Sequence, residues 1–222
     1  MKKLRIYLIG VLAISLLLGL NINHTRCQNW TTYTTSDGLV DNFITVIAED
    51  SQGNLWFGTD HSGISKYDGT NWTNYTAADG LIDNSIRSIG EDSQGSLWFG
   101  TVNGLSKYDG VNWINYDIAD GLTDNRIWAI AGDNQGNVWL GYTFFGDGVS
   151  KYDGVNWTAY TTADGLAGNN IVTIIADKQG NIWCGGVGGL SKYDNVNWTT
   201  YTTTDGLANN LVWTIAEDST GN

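Results

Sequence analysis

A tryptophan recurs along this chain at positions 30, 72, 113, 157 and 198, with spacings of 42, 41, 44 and 41 residues. A second series, Trp56, Trp98, Trp139 and Trp183, keeps the same rhythm with spacings of 42, 41 and 44. Two series locked in phase mean that one unit of about 42 residues is being copied. The first copy shows its parts. Residues 43–49 (FITVIAE) lead into a turn at 50–54, followed by 55–59 (LWFGT). Residues 63–68 (GISKYD) come next, then a turn at 69–71 and residues 72–76 (WTNYT), and a longer loop at 77–84 returns to the start. Each run is short, rich in β-branched and aromatic residues, and bounded by Gly, Asp or Asn. Such a pattern reads as four strands joined by hairpin turns. The chain has 29 glycines and no proline, so its turns rest on Gly, Asp and Asn.

Four antiparallel strands per unit of this length make the blade of a β-propeller. The expected fold is therefore all-β, with blades at about 43–76, 85–117, 126–161 and 170–202. An open solenoid or a flat meander is the competing arrangement. A blade cannot cover its own faces, so its neighbours must, and the repeated Trp, Ile and Leu supply that packing. One Trp buries roughly 200 Å², about 5 kcal/mol gross at ~25 cal/mol/Å². The repeat starts and stops out of phase. Residues 30–34 read as a last strand and 211–217 as a first strand, each without the rest of its blade. The expectation is an incomplete ring, either a fragment or a chain that assembles with other copies.

The N-terminus differs in kind. Lys2, Lys3 and Arg5 precede an uncharged apolar run from Ile6 to Leu20, and residues 21–27 are polar. Residues 1–27 read as an export signal, leaving 28–222 as the repeat domain; the run is short for a membrane span of ~20 residues. An uncleaved anchor is the alternative. Cys27 lacks the small residues of a lipoprotein signal before it, since His24, Thr25 and Arg26 stand there. Losing Lys2, Lys3, Arg5 and Arg26 takes the net charge from −12 to −16. A surface so acidic repels nucleic acid and anionic lipid, so neither nucleic-acid binding nor membrane insertion is expected after signal removal. Cys184 is then the one remaining cysteine, which excludes an internal disulfide and suits a small core residue. The expected location is periplasmic or secreted.

Residues 84–101 and 104–109 follow the pattern N-x-I-x-x-I-x-x-D-x-x-G-N-L-W-F-G-T and G-L-S-K-Y-D, with Ser96 in the Asn position. This pattern recurs in phase four times and resembles the two-component regulator propeller family. The resemblance implies an extracytoplasmic ligand-binding or sensor propeller, often for glycans, that works with a membrane sensor kinase, or a related secreted propeller.

Most repeated residues read as scaffold. Asp50, Asp92, Asp133, Asp177 and Asp218 precede turns ending in Gly, as hairpin caps. Asn42, Asn84, Asn125, Asn169 and Asn210 close the blade-to-blade loop. Asp41, Asp83 and Asp124 add a second acid to that loop. Acids in separate blades offer too few oxygens for a calcium cage and fit a solvated rim better. Positions that vary between copies point to function instead, because one ligand meets each blade differently. One first-strand position reads Thr45, Arg87, Trp128, Val172 and Trp213, and another reads Phe43, Ser85, Arg126, Asn170 and Leu211. First strands line a propeller's channel, so Arg87, Arg126, Trp128 and Trp213 are candidate ligand contacts. Trp offers a flat face to a sugar ring and Arg a forked donor. The third copy carries an insertion over 142–148 with Phe144 and Phe145, and the matching loop of the first copy holds His61. These three complete the candidate set.

Catalysis is not expected. After the export signal His61 is the one histidine, too few for a Ser-His-acid triad, a three-histidine zinc site or histidine-dependent lyase chemistry. No phosphate-cradling or dinucleotide glycine motif appears, and no metal or cofactor is expected. The reading is a sensor-type propeller for a glycan or small polar ligand. The alternatives are a secreted protein-protein scaffold or a fragment of a larger sensor histidine kinase, and, less favoured, a propeller lyase or hydrolase.

Overall fold

A computed structural model of the chain describes residues 31–143 and 146–220. Within the unit that begins at Tyr33, four four-stranded antiparallel sheets follow one another as the blades of an open propeller. Blade 1 comprises β1 (Ile44–Glu49), β2 (Leu55–Thr59), β3 (Ile64–Tyr67) and β4 (Trp72–Tyr75). Blade 2 comprises β5 (Ile86–Glu91), β6 (Leu97–Thr101), β7 (Leu105–Tyr108) and β8 (Trp113–Tyr116). Blade 3 comprises β9 (Ile127–Gly132), β10 (Val138–Tyr142), β11 (Val149–Tyr152) and β12 (Trp157–Tyr160). Blade 4 comprises β13 (Asn170–Ala176), β14 (Ile182–Val187), β15 (Gly189–Tyr193) and β16 (Trp198–Tyr201). In each blade the strands pair in sequence order. The first strands β1, β5, β9 and β13 pack on one another and so lie innermost.

The repeat residues explain why the sheets form and stack. The cap aspartate holds its turn and its tryptophan together. Asp133 Oδ1 accepts from the N–H groups of Gln135 and Asn137, and its Oδ2 accepts from Asn137 Nδ2 and, at 2.9 Å, from Trp139 Nε1. Asp50, Asp92 and Asp177 bind Trp56, Trp98 and Trp183 in the same way at 2.8 Å. An indole whose one donor is satisfied can be buried whole, and Trp56, Trp98 and Trp139 are at most 1% exposed. Each stacks on the tyrosine of its own last strand and meets the next blade. Trp56, for example, stacks on Tyr75 and touches Phe99 and Tyr108.

Three separate apolar clusters result, one per blade junction. Trp56, Leu81, Ile86 and Phe99 fill the first, Trp98, Ile127 and Leu140 the second, and Trp139, Ile171 and Cys184 the third. Cys184 is a core residue, and burial pushes its thiol pKa far above the usual range. A glycine in each second strand lets the next blade close in. A Cβ on Gly58 would lie 2.6 Å from Ile86 Cγ2, and one on Gly100 2.7 Å from Ile127 Cγ2. The connectors after blades 1, 2 and 4 wind through short 3-10 turns closed by reciprocal Thr or Asp caps, as at Thr76 and Asp79. Asn84 Oδ1 then accepts from Ala77 N, and Asn125, Asn169 and Asn210 repeat that closure.

Two expected strands take another form. Residues 31–34 are not in a strand, and of 211–217 only Leu211 pairs, through a single bridge to Val187. A strand needs a partner along its length, and among the described residues neither segment is paired along its length with another strand. Both nevertheless keep the repeat's packing. Tyr33 meets Tyr67 and Trp72 as Tyr75 meets Tyr108 and Trp113. Val212 approaches Gly185 as Ile86 approaches Gly58. Residues 1–27, expected as the signal, and Trp30 lie outside the described residues. Among the described residues no helix is long and apolar enough to cross a membrane.

Candidate functional site

The variable first-strand position is a bulge. The pairing between first and second strands skips one residue in every blade: Thr45, Arg87, Trp128 and Val172. A bulge places an extra residue on one strand and re-aims its side chain. Each copy thus presents a different group from the same innermost place. Thr45 turns its hydroxyl to the carbonyls of Gly58 and Ile86, at 3.0 and 2.7 Å. Trp128 is 37% exposed. Trp213 holds the corresponding register in the segment after blade 4 and is 67% exposed.

Connectors and the turns between second and third strands share one end of the blades, and polar side chains gather there. Arg87 forms an ion pair with Asp60, and His61 Nε2 lies 3.1 Å from the same carboxylate. Ser85 Oγ donates to the Asp60 carbonyl and sits 3.2 Å from His61 Nδ1. One junction further on, Arg126 grips Asp124 through Nε at 3.0 Å and through Nη2, while its own N–H donates to Asp124 Oδ1 at 2.8 Å. The side-chain bond from Arg126 is the leading cause that holds the Asp124 carboxyl below its usual range.

Two open grooves run along this end, one at each of the first two junctions. The first, of about 300 Å³, is lined by His61, Ile82, Asp83, Ser85 and Val102 among others. The second, of about 450 Å³, is lined by Val102, Asn103, Ile118, Asp124 and Arg126 among others. Val102 borders both. The grooves are equivalent places in successive repeats, made from corresponding connector residues and differing in the side chains offered. One presents imidazole and hydroxyl groups, the other a guanidinium and an amide.

The sequence candidates therefore separate into three groups. His61 and Arg87 meet at Asp60. Arg126 lines the second groove, while Trp128 and Trp213 stand at the innermost register and line neither groove. Phe144 and Phe145 lie outside the described residues. Asn103, Val102 and Ile118 escaped sequence reasoning, because their turn and connector positions carry no fixed repeat residue. The visible signal was the change from Asp60-His61-Ser62 to Val102-Asn103 between copies. Among the described residues no group of His, Cys, Asp or Glu is arranged to hold a metal.

A protein-family model described as two component regulator propeller matches residues 38–61, 80–103, 121–143 and 165–188. Each match begins in a connector and ends at or near the turn between the second and third strands. No curated protein matches the sequence. Among solved structures, the chain is similar to the extracellular domain assigned to a hybrid two-component system of B. thetaiotaomicron, at 25% identity and a TM-score of 0.65, over 75% of this chain and 24% of that one. It is also similar to an extracellular domain assigned to a one-component system of the same organism, at 23% identity and a TM-score of 0.65, over 81% of this chain and 28% of that one. The chain thus spans about a quarter of the length of these structures. A streptogramin B lyase shares the fold at 15% identity and a TM-score of 0.60, over 74% of this chain and 56% of that one.

Proposed function

Because this chain is built of two-component regulator propeller repeats, we propose that it is an exported, sensor-type propeller that binds a neutral, hydroxyl-rich ligand of the glycan kind and does no chemistry on it. The observation that carries this reading is the contrast between scaffold and surface. The turns, caps and core repeat from blade to blade, while the bulge residues and the groove residues change. Invariant packing with variable innermost groups is what a binding face needs, since one ligand presents different atoms to each blade. The charge of the face narrows the ligand. Asp41, Asp60, Asp83, Asp124 and Asp147 outnumber Arg87 and Arg126 there, so a polyanion is repelled. Neutral hydroxyls fit the amide, imidazole and guanidinium donors, and Trp128 and Trp213 offer stacking faces. A membrane sensor kinase is the partner that would read the bound state, by analogy with the two-component systems whose extracellular domains share the fold.

A glycan array followed by calorimetric titration tests this, using the protein and its Arg126→Ala, His61→Ala, Trp128→Ala and Trp213→Ala variants. At least one glycan should bind, and loss of Arg126 or Trp128 should weaken it about tenfold or more, the scale of one anchoring contact. No binding at all, or binding that ignores all four substitutions, would leave the protein-protein scaffold as the better reading. Release of a modified sugar product by the unaltered protein would overturn the absence of catalysis.

A further inference from the structure

The first three blades treat the acid of their connector differently. In blade 1, Asp41 accepts a hydrogen bond from Ser62 Oγ at 2.7 Å. In blade 2, Asp83 accepts from Asn103 Nδ2 at 2.6 Å. Both donors come from the turn between the second and third strands of the same blade. In blade 3 that turn supplies Asp147, and its carboxyl group meets that of Asp124. Arg126 also holds Asp124, bonding to both of its oxygens. Oδ2 of Asp147 is buried and has no hydrogen-bond partner. Ionised carboxylates only accept hydrogen bonds, whereas a protonated one donates. Two half-buried carboxylates that meet lack a hydrogen between them, and one added proton supplies it.

We propose that Asp124 and Asp147 share a single proton, so that the blade 3 turn is held to its connector by a carboxyl–carboxylate hydrogen bond that a rise in pH removes. Among the described residues, the other titratable or charged groups around the pair are Arg126 and, at the end of β10, Tyr142. The Tyr142 hydroxyl donates to Ser150 Oγ at 3.0 Å. The connector into blade 4 brings Asn169 and Asn170, which carry no charge. The pair bears on more than its own turn, because Gly148 N donates to Asn169 O at 2.9 Å. The second groove, lined by Asp124 and Arg126, gains a negative charge when the proton leaves.

The direction agrees with the geometry. Burial first, and the facing Asp124 second, push the Asp147 carboxyl above its usual value of 3.8. A native pKa above the unfolded one means that the folded chain binds the proton more tightly. The stabilisation is complete below 3.8 and is lost as pH rises through the native value.

The experiment compares the protein with Asp147→Asn, whose amide donates permanently as Asn103 does in blade 2. Melting temperatures are measured between about pH 4 and pH 7. The variant and the parent should melt together at the acid end. At the neutral end the variant should melt about 2–4 °C higher, the shift expected for about 1 kcal/mol in a domain of this size. The Asp147 carboxyl carbon, followed by NMR, should titrate above 3.8. A constant difference across the range, or titration at or below 3.8, overturns the proposal. Should Asp147→Asn fail to fold, Asp124→Asn offers a donor from the opposite side and should flatten the same dependence. Calcium chloride is the control: a rise in melting temperature that the parent shows and the variant lacks would mean that the pair holds a cation, and would also overturn it.

Discussion

Asp92 lacks one bond that Asp50, Asp133 and Asp177, the caps of the other three blades, all accept. Asn54, Asn137 and Asn181 each donate Nδ2 to the cap aspartate at 2.7 Å. Ser96 takes that place in blade 2 and reaches Asp92 only through its backbone N–H. Lys107 fills the opening, with Nζ 3.5 Å from Asp92 Oδ2 as well as over the Trp98 ring. Replacing Ser96 by Asn should restore the amide bond and stabilise the chain by about 0.5–1.5 kcal/mol, read as a higher urea midpoint at unchanged slope. Asp133→Ala should do the reverse. It strands the buried donors of Trp139 and Asn137 and should cost about 3 kcal/mol or more. Two cap carboxylates, Asp50 and Asp177, set the acid limit. For Asp50, burial alone would raise the pKa, but bonds from Trp56 and Asn54 overbalance it and hold the group below 3.8. Asp177 is depressed in the same way by Asn181 and Trp183. Their contribution is therefore present above 3.8 and lost as pH falls through the lower native values. A pH series of urea midpoints should decline steeply below about pH 4, and less steeply in Asp50→Asn than in the parent.

At the scale of the element, two kinds of glycine are distinguishable by what surrounds them. Gly100 lies inside β6, where a Cβ would sit 2.3 Å from Ser88 Oγ and 2.7 Å from Ile127 Cγ2. Gly100→Ala should push blade 3 away from blade 2 and cost about 1–3 kcal/mol. Gly69 lies in a turn with φ +93° and nothing within 4 Å of a new Cβ. Its cost in Gly69→Ala is backbone strain alone, about 1–2 kcal/mol. Denaturation measures both totals, and a crystal structure of each variant separates them, since only the first should shift a neighbouring blade. Element boundaries were legible in the sequence because most strands run directly into Gly or Asp. The expected blades and the observed ones differ by a residue or so at each end. The bulge at Thr45, Arg87, Trp128 and Val172 was not legible, because an extra residue in one strand shows only against its partner.

At the scale of the whole molecule, each blade buries its apolar surface against its sequence neighbours. Stability is then close to a sum over junctions. Trp98, at 1% exposure in the second junction, should cost about 3–5 kcal/mol when truncated to Ala. Trp183 is only half-buried, on the face of blade 4 away from blade 3, and the same truncation there should cost clearly less. Equal losses in urea denaturation would show that the junctions are not energetically separate. The candidate site was legible only in part. Comparing copies picked out Arg126 and His61, which line the grooves, yet it missed Asn103 and Val102. It also gave no hint that Asp147 would face Asp124, since 23 residues separate them.

The sequence by itself determined the unit, its four strands, the identity of the caps and the residues that must be buried. Those follow from local chemistry repeated in phase: alternation, turn residues and a cap aspartate for each second-strand indole. Only the tertiary structure decided which side chains of different repeats meet. Arg87 on Asp60, Asp147 against Asp124 and the two grooves sharing Val102 all depend on how the chain returns on itself in and between the blades. Such distances are set by packing and carry no local signature that a linear pattern can reveal.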